Sequence, residues 1–186
     1  MDERSELHAP ARARGRLRVL YTAEEIRART ARLADEIRPY YEGKNPLLLG
    51  VLKGSFIFLA DLARALAIPL EVDFVQLASY GDGTESSGFV RFIHDVERPM
   101  AGRHVLVVED IVDTGTTLAF LLGTLASRQA ASVRVVSLLD KPGRRVNQVQ
   151  VDFAGFTVEN LFVVGYGMDH AEAYRHLPDI CALEEV

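Results

Sequence analysis

Residues Val107 to Thr117 read VVEDIVDTGTT and bring together three kinds of group that could share one chemistry. Glu109 and Asp110 are adjacent carboxylates, able to accept hydrogen bonds from a vicinal diol. Asp113 is a third acid, just beyond a short apolar pair. Thr114, Gly115, Thr116 and Thr117 then stand at an expected helix start, where backbone amides point outward with partial positive charge. Gly115 lets the backbone approach a ligand closely, and the threonine hydroxyls add donors. Acids for sugar hydroxyls beside amides for a phosphate dianion describe a site for a phosphorylated ribose. The bland alternative is a capped turn with solvated acids. A Walker loop is excluded, because Thr116 follows Gly115 where that motif needs lysine. GDGTESSG, from Gly81, lacks the spacing of a dinucleotide loop.

The elements that must position this run follow from hydropathy. Segments 46–52, 104–110, 133–140 and 160–167 are short and almost solidly apolar, without alternating polar positions. Such runs are predicted to be strands buried on both faces, as in a parallel sheet. Ala- and Leu-rich stretches from Ser55 to Ala67 and from Thr117 to Gln129 separate them as helices, so the rhythm is that of βαβ units in an open α/β sheet. Ligands of such sheets collect beyond the carboxyl ends of the strands. Thr22 with Glu25 forms a capping-box pattern, and Ile26, Leu33 and Ile37 mark an amphipathic helix running up to Pro39. Between residues 71 and 96 two β-rich runs flank a Gly/Ser/Thr-rich stretch from Ser79 to Gly88, predicted to be a hairpin-like excursion with a lid loop.

A chain of 186 residues with 48% apolar content suits one domain, taken as 18–186 after a loose Arg-rich tail over 1–17. The net charge of −5 gives no general attraction to nucleic acid or anionic membrane. One cysteine, Cys181, excludes an intramolecular disulfide framework, and with no apolar run long enough to span a bilayer the expected setting is cytoplasmic.

The EDIVDTGTT run preceded by VLVV resembles the phosphoribosyl pyrophosphate signature of type I phosphoribosyltransferases. Further matches are LKG at 52–54, SYG at 79–81, Lys141 after the third strand, and FVVGYGMD followed by Tyr174 and Arg175. These narrow the resemblance to the hypoxanthine-guanine members. It implies an open, mostly parallel twisted sheet flanked by helices, with a small hood and a flexible lid. It also implies transfer of a 5-phosphoribosyl group from phosphoribosyl pyrophosphate to a 6-oxopurine in purine salvage.

Carried over by resemblance, Glu109 and Asp110 hold the ribose hydroxyls, Thr114 to Thr117 the 5-phosphate, and Asp113 is the acid/base facing nitrogen 7 of the purine. Lys141 donates to the 6-oxo group, Phe162 stacks on the base, and the Val163 backbone reads the ring edge. Asp169, beside the purine, coordinates magnesium that carries the pyrophosphate, with Glu109 and Asp110 as further metal-site acids. Lys53 and Gly54 meet the pyrophosphate through backbone amides, Arg175 neutralises it, Lys53 also helps to stabilise the departing charge, and the Leu52–Lys53 bond is often cis in this family. Ser79 and Tyr80 belong to the lid. His170 is expected to be a solvated neighbour of Asp169, in a place that often holds an aromatic. Homodimers or homotetramers are expected. Another base is one alternative, xanthine ahead of a pyrimidine or of adenine, which Lys141 and Phe162 oppose; a nucleic-acid-binding regulator built on the same fold is the other, and only the arginine tail favours it.

Overall fold

The computed structural model describes residues 15–80, 89–96 and 98–184, and of residues 79, 80 and 89 the backbone only. In chain order the elements are β1 (Arg16–Tyr21), α1 (Ala23–Tyr41), β2 (Leu47–Leu52), α2 (Phe56–Leu66), β3 (Glu71–Tyr80) and β4 (Phe89–His94). They continue with β5 (His104–Val112), α3 (Thr116–Ala126), β6 (Ser132–Asp140), β7 (Phe153–Thr157), β8 (Val163–Val164) and β9 (Ile180–Glu184). Six strands form one sheet in the order β4-β3-β2-β5-β6-β7. Its pairings are parallel except for antiparallel β3–β4. The βαβ rhythm of the sequence therefore becomes a mostly parallel sheet.

Period two along β5 distributes the core between the two faces. Leu106 and Val108 join Leu33 and Ile37 of α1 and Phe58 and Leu62 of α2. Val105 and Val107 turn the other way, toward Leu118, Leu121 and Leu125 of α3. Each fully buried side chain of this size contributes roughly 1.5–3 kcal/mol. The same alternation sends the next two residues, Glu109 and Asp110, to opposite faces of the sheet.

Helix α1 opens on the expected capping box. The Glu25 amide donates to Thr22 Oγ1 at 3.3 Å, and the Thr22 amide donates to Glu25 Oε2 at 2.8 Å. Its end differs from expectation, because Pro39 lies inside the helix, which runs on to Tyr41. Tyr41 is buried and its hydroxyl donates to the Val105 carbonyl at 3.2 Å. That tertiary anchor holds the last turn beyond the proline, which has no amide to donate within the helix.

Two strand assignments change. The run 160–167 is not a fourth buried parallel strand. Only Val163–Val164 is extended, and it pairs antiparallel with β9 in a separate sheet of order β1-β9-β8, the small hood. Positive φ at Gly165, Tyr166 and Gly167 turns the chain immediately afterwards. The sheet position next to β6 is taken instead by Phe153–Thr157, a segment that sequence patterning does not distinguish. Arg16 and Leu17, read as tail, belong to β1 and pair with Glu184 and Leu183. Most of β1 is exposed, so its partner rather than its own pattern makes it a strand. Residues 1–14 of the tail and the loop 81–88 of the expected lid lie outside the described residues. Ser79 and Tyr80 are the last residues of β3, opposite Val90 and Phe89.

Candidate active site

Strand β5 ends two residues later than its hydropathy suggests, at Val112, and α3 begins at Thr116 with Gly115 as its N-cap at φ +80°. The intervening turn is short and tightly held. The Val146 and Asn147 amides donate to the Thr114 carbonyl at 2.9 and 3.0 Å, and Asn147 Nδ2 donates to Thr116 Oγ1 at 2.9 Å. A Cβ on Gly115 would lie 2.6 Å from the Asn147 carbonyl, so both the left-handed φ and the close approach require glycine. Glu109 and residues 111–118 surround a cavity of about 110 Å³ over this helix start. The amides of the first turn have no carbonyl within the helix to meet, so this cavity suits a phosphate.

A larger cavity of about 480 Å³ adjoins it. Lys53, Gly54, Asp110, Asp113, Lys141, Phe162, Val163, Asp169 and Arg175 all line it. The residues carried over by resemblance thus arrive from the ends of β2, β5 and β6 and from the β8 region at one crevice, the place an open α/β sheet offers for ligands. The two acids of the diol pair are not brought together: Asp110 lines the large cavity and Glu109 the phosphate-sized one. Burial pushes the Glu109 carboxyl well above its ordinary range, with Asp110 adding to the effect. Burial also raises Asp110 to about 6, against opposing hydrogen bonds from backbone amides. Gly54 packs directly on Asp110, where a Cβ would overlap the carboxylate. The Leu52–Lys53 peptide before it is cis.

Asp113 lies at the junction of the two cavities. Its carboxylate receives Arg144 Nε at 3.1 Å and Lys141 Nζ at 3.4 Å. Lys141 is 6% exposed and also donates to the Leu161 carbonyl at 2.7 Å, so it is a buried ammonium facing the cavity and not an exposed loop lysine. Phe162, by contrast, is 54% exposed, a bare ring at the cavity wall. Its neighbour corrects one expectation. His170 is not simply solvated: its ring stands edge-on to Phe162 at 5.1 Å, and its Nδ1 is buried without a hydrogen-bond partner. It occupies the supporting place where an aromatic was expected and holds the exposed ring from one side.

Arg175 donates to the Gly167 carbonyl at 2.8 Å and pairs with Asp169 at 2.7 Å. Three residues not singled out by the sequence complete this architecture. Arg145 donates to the carbonyls of Val112 (2.6 Å) and Asp113 and to the Asp140 carboxylate, clamping the end of β5 to the end of β6. Arg144 pairs with Asp113, as above. The adjacent arginines directly after KPG were the available signal for both. Glu172, which lines the large cavity, carried no signal in the sequence.

A mostly parallel sheet whose strand ends gather Lys53, Asp110, Asp113 and Lys141 around one crevice, beside a glycine-capped helix start, points to a class, and sequence comparison agrees. The chain belongs to the phosphoribosyl transferase domain family, whose model matches residues 19–171. Within it, the chain is 46% identical to the hypoxanthine-guanine phosphoribosyltransferase of Streptococcus pneumoniae strain R6, over 90% of this chain and 93% of that one. It is 47% identical to the bifunctional protein TilS/HprT of Listeria monocytogenes serotype 4b, again over 90% of its own length, but spans only 26% of that longer relative. Among solved structures, the hypoxanthine phosphoribosyltransferase of Staphylococcus aureus superposes with a TM-score of 0.87 at 40% identity, covering 90% of this chain and 91% of the other.

Proposed function

We infer that this protein transfers the 5-phosphoribosyl group of phosphoribosyl pyrophosphate to nitrogen 9 of hypoxanthine or guanine, releasing pyrophosphate, as a purine-salvage enzyme. The observation that carries the reading is the meeting of Asp113 and buried Lys141 at one crevice, 3.4 Å apart, directly beside the phosphate-sized cavity. A phosphoribosyl-binding regulator has no use for a proton acceptor and a carbonyl-reading ammonium so placed.

In this reading the first turn of α3 anchors the 5-phosphate and Asp110 accepts from the ribose hydroxyls. The purine lies against Phe162 with its 6-oxo group on Lys141. As nitrogen 9 bonds to the anomeric carbon and the bond to pyrophosphate breaks, Asp113 takes the proton at nitrogen 7. Lys53 and Arg175 receive charge developing on the departing oxygens. Asp110 and Asp169 face the same cavity with hard carboxylate oxygens, a donor set that suits magnesium completed by substrate oxygens. Magnesium held there would neutralise diphosphate charge. A cytoplasmic setting and self-association as dimer or tetramer complete the proposal.

The decisive assay offers phosphoribosyl pyrophosphate and magnesium with hypoxanthine, guanine, xanthine or adenine in turn. Turnover should favour the 6-oxopurines, and equal inactivity with all four bases would end the reading. The state of Asp110 adds a pH dependence. Its folded value of about 6 lies above the ordinary aspartate range, so the accepting carboxylate form is lost as pH falls through about 6. Accordingly, kcat/KM for phosphoribosyl pyrophosphate, followed between about pH 5 and 8, should decline on the acid side of about 6. A flat profile there would show that Asp110 stays ionised across this range, as a cation on its carboxylate would hold it.

A further inference from the structure

The strongest unassigned feature is the charge arrangement at the mouth of the large cavity. Glu172 Oε1 lies 3.0 Å from Lys53 Nζ, and its Oε2 lies 3.5 Å from an Arg175 guanidinium nitrogen. All three residues line that cavity. The Glu172 amide donates to Asp169 Oδ2 at 2.8 Å, which ties its backbone to the acid beside Arg175. Ala171, Glu172 and Tyr174 all have left-handed backbone, at φ of +52°, +64° and +74°. Residues other than glycine adopt that conformation at a cost, and it is kept here in a loop that turns the Glu172 carboxylate toward two cations.

We propose that Glu172 is an affinity-setting residue of the transfer reaction, its carboxylate being an internal competitor for the two cations that take up the diphosphate of the donor and of the product. This rests on the reading of Lys53 and Arg175 as pyrophosphate ligands. A diphosphate arriving at the cavity mouth must break both contacts and then tolerate the displaced carboxylate nearby. When pyrophosphate leaves, Glu172 re-forms the pairs and compensates the cations. Both effects raise the dissociation constant and shorten residence. The contacts are largely exposed, Lys53 at 52% and Glu172 at 68%, so the competition is modest. Modest competition suits a site that must release its product in each cycle.

The test is binding of inorganic pyrophosphate with magnesium, and separately of the nucleoside monophosphate product, to the full chain and to Glu172→Gln, which removes charge and keeps size. Pyrophosphate should bind roughly three- to tenfold more tightly to the variant, with slower dissociation. Nucleoside monophosphate affinity should change less than about twofold, because that ligand does not need Lys53 or Arg175. A Glu172→Gln variant that binds pyrophosphate no better than the parent overturns the proposal. Arg175→Lys and Lys53→Met, measured alongside, separate this failure from failure of the underlying reading. If both leave pyrophosphate affinity unchanged, those cations are not its ligands. If they weaken it while Glu172→Gln does not strengthen it, the cations stand and only the competition falls. Should Glu172→Gln prove unstable, Glu172→Asp retains the charge on a shorter arm and must also tighten pyrophosphate.

Discussion

Asp113→Asn should lower turnover by about two to four orders of magnitude, the range a positioned acid/base group contributes. The substitution preserves shape and removes the proton acceptor. The turn should survive it, because Arg145 binds the Asp113 carbonyl and not its side chain, and the Val146 and Asn147 amides hold the next carbonyl. The cost falls on the side chain. Lys141 and Arg144 lose a charged partner, although Lys141 keeps the Leu161 carbonyl at 2.7 Å. Affinity for nucleoside monophosphate should therefore change by less than about tenfold, since phosphate binding depends on the helix start. Saturating kinetics with product-binding isotherms on the same preparation check both halves. Near-normal turnover would take the proton-transfer role away from Asp113.

The second large effect is in base selection. Lys141→Gln should reduce kcat/KM for hypoxanthine by roughly 10²–10³ and narrow its preference over adenine by a similar factor. The ammonium at this position has only donors. Two are directed at Leu161 and Asp113, and the third is available to a ligand in the cavity Lys141 lines. A 6-oxo group satisfies that donor, whereas a 6-amino group opposes it and leaves one buried N–H of the ammonium unsatisfied. Glutamine presents either a donor or an acceptor and loses the reason to choose. Competition between hypoxanthine and adenine for limiting phosphoribosyl pyrophosphate measures the ratio directly. An unchanged ratio with full hypoxanthine activity would mean that the base is read elsewhere.

Much of the fold was legible because strands buried on both faces read as solid apolar runs and their intervening helices as Ala/Leu-rich stretches. Segments 46–52, 104–110 and 133–140 became β2, β5 and β6 with ends shifted by no more than two residues. The failures have one cause. Val163–Val164 looks like its parallel counterparts, but its pairing partner is β9, 17 residues later in the register of Val164 with Cys181. Exposed β1 and the glycine-interrupted β7 show little pattern of their own. Their pairing belongs to the assembled sheets, where Gly155 lets its backbone approach the Leu138 carbonyl.

For the site, local order was enough to place the glycine-capped turn and the adjoining acids, because neighbours along a chain must share a strand end and a helix start. Gly115, Thr116 and Asp113 needed no distant partner to be read. Convergence was decided only by the tertiary structure. Parallel pairing of β2, β5 and β6 brings Lys53, Asp113 and Lys141 to one end of the sheet, and the hood adds Phe162 and Arg175. Alternation along β5 separated Glu109 from Asp110, although they are adjacent in sequence. Glu172 became visible in the same way, since its two cations lie 119 and 3 residues away along the chain. An ion pair of the first kind has no periodicity to betray it, because loop closure and not local pattern brings the charges together.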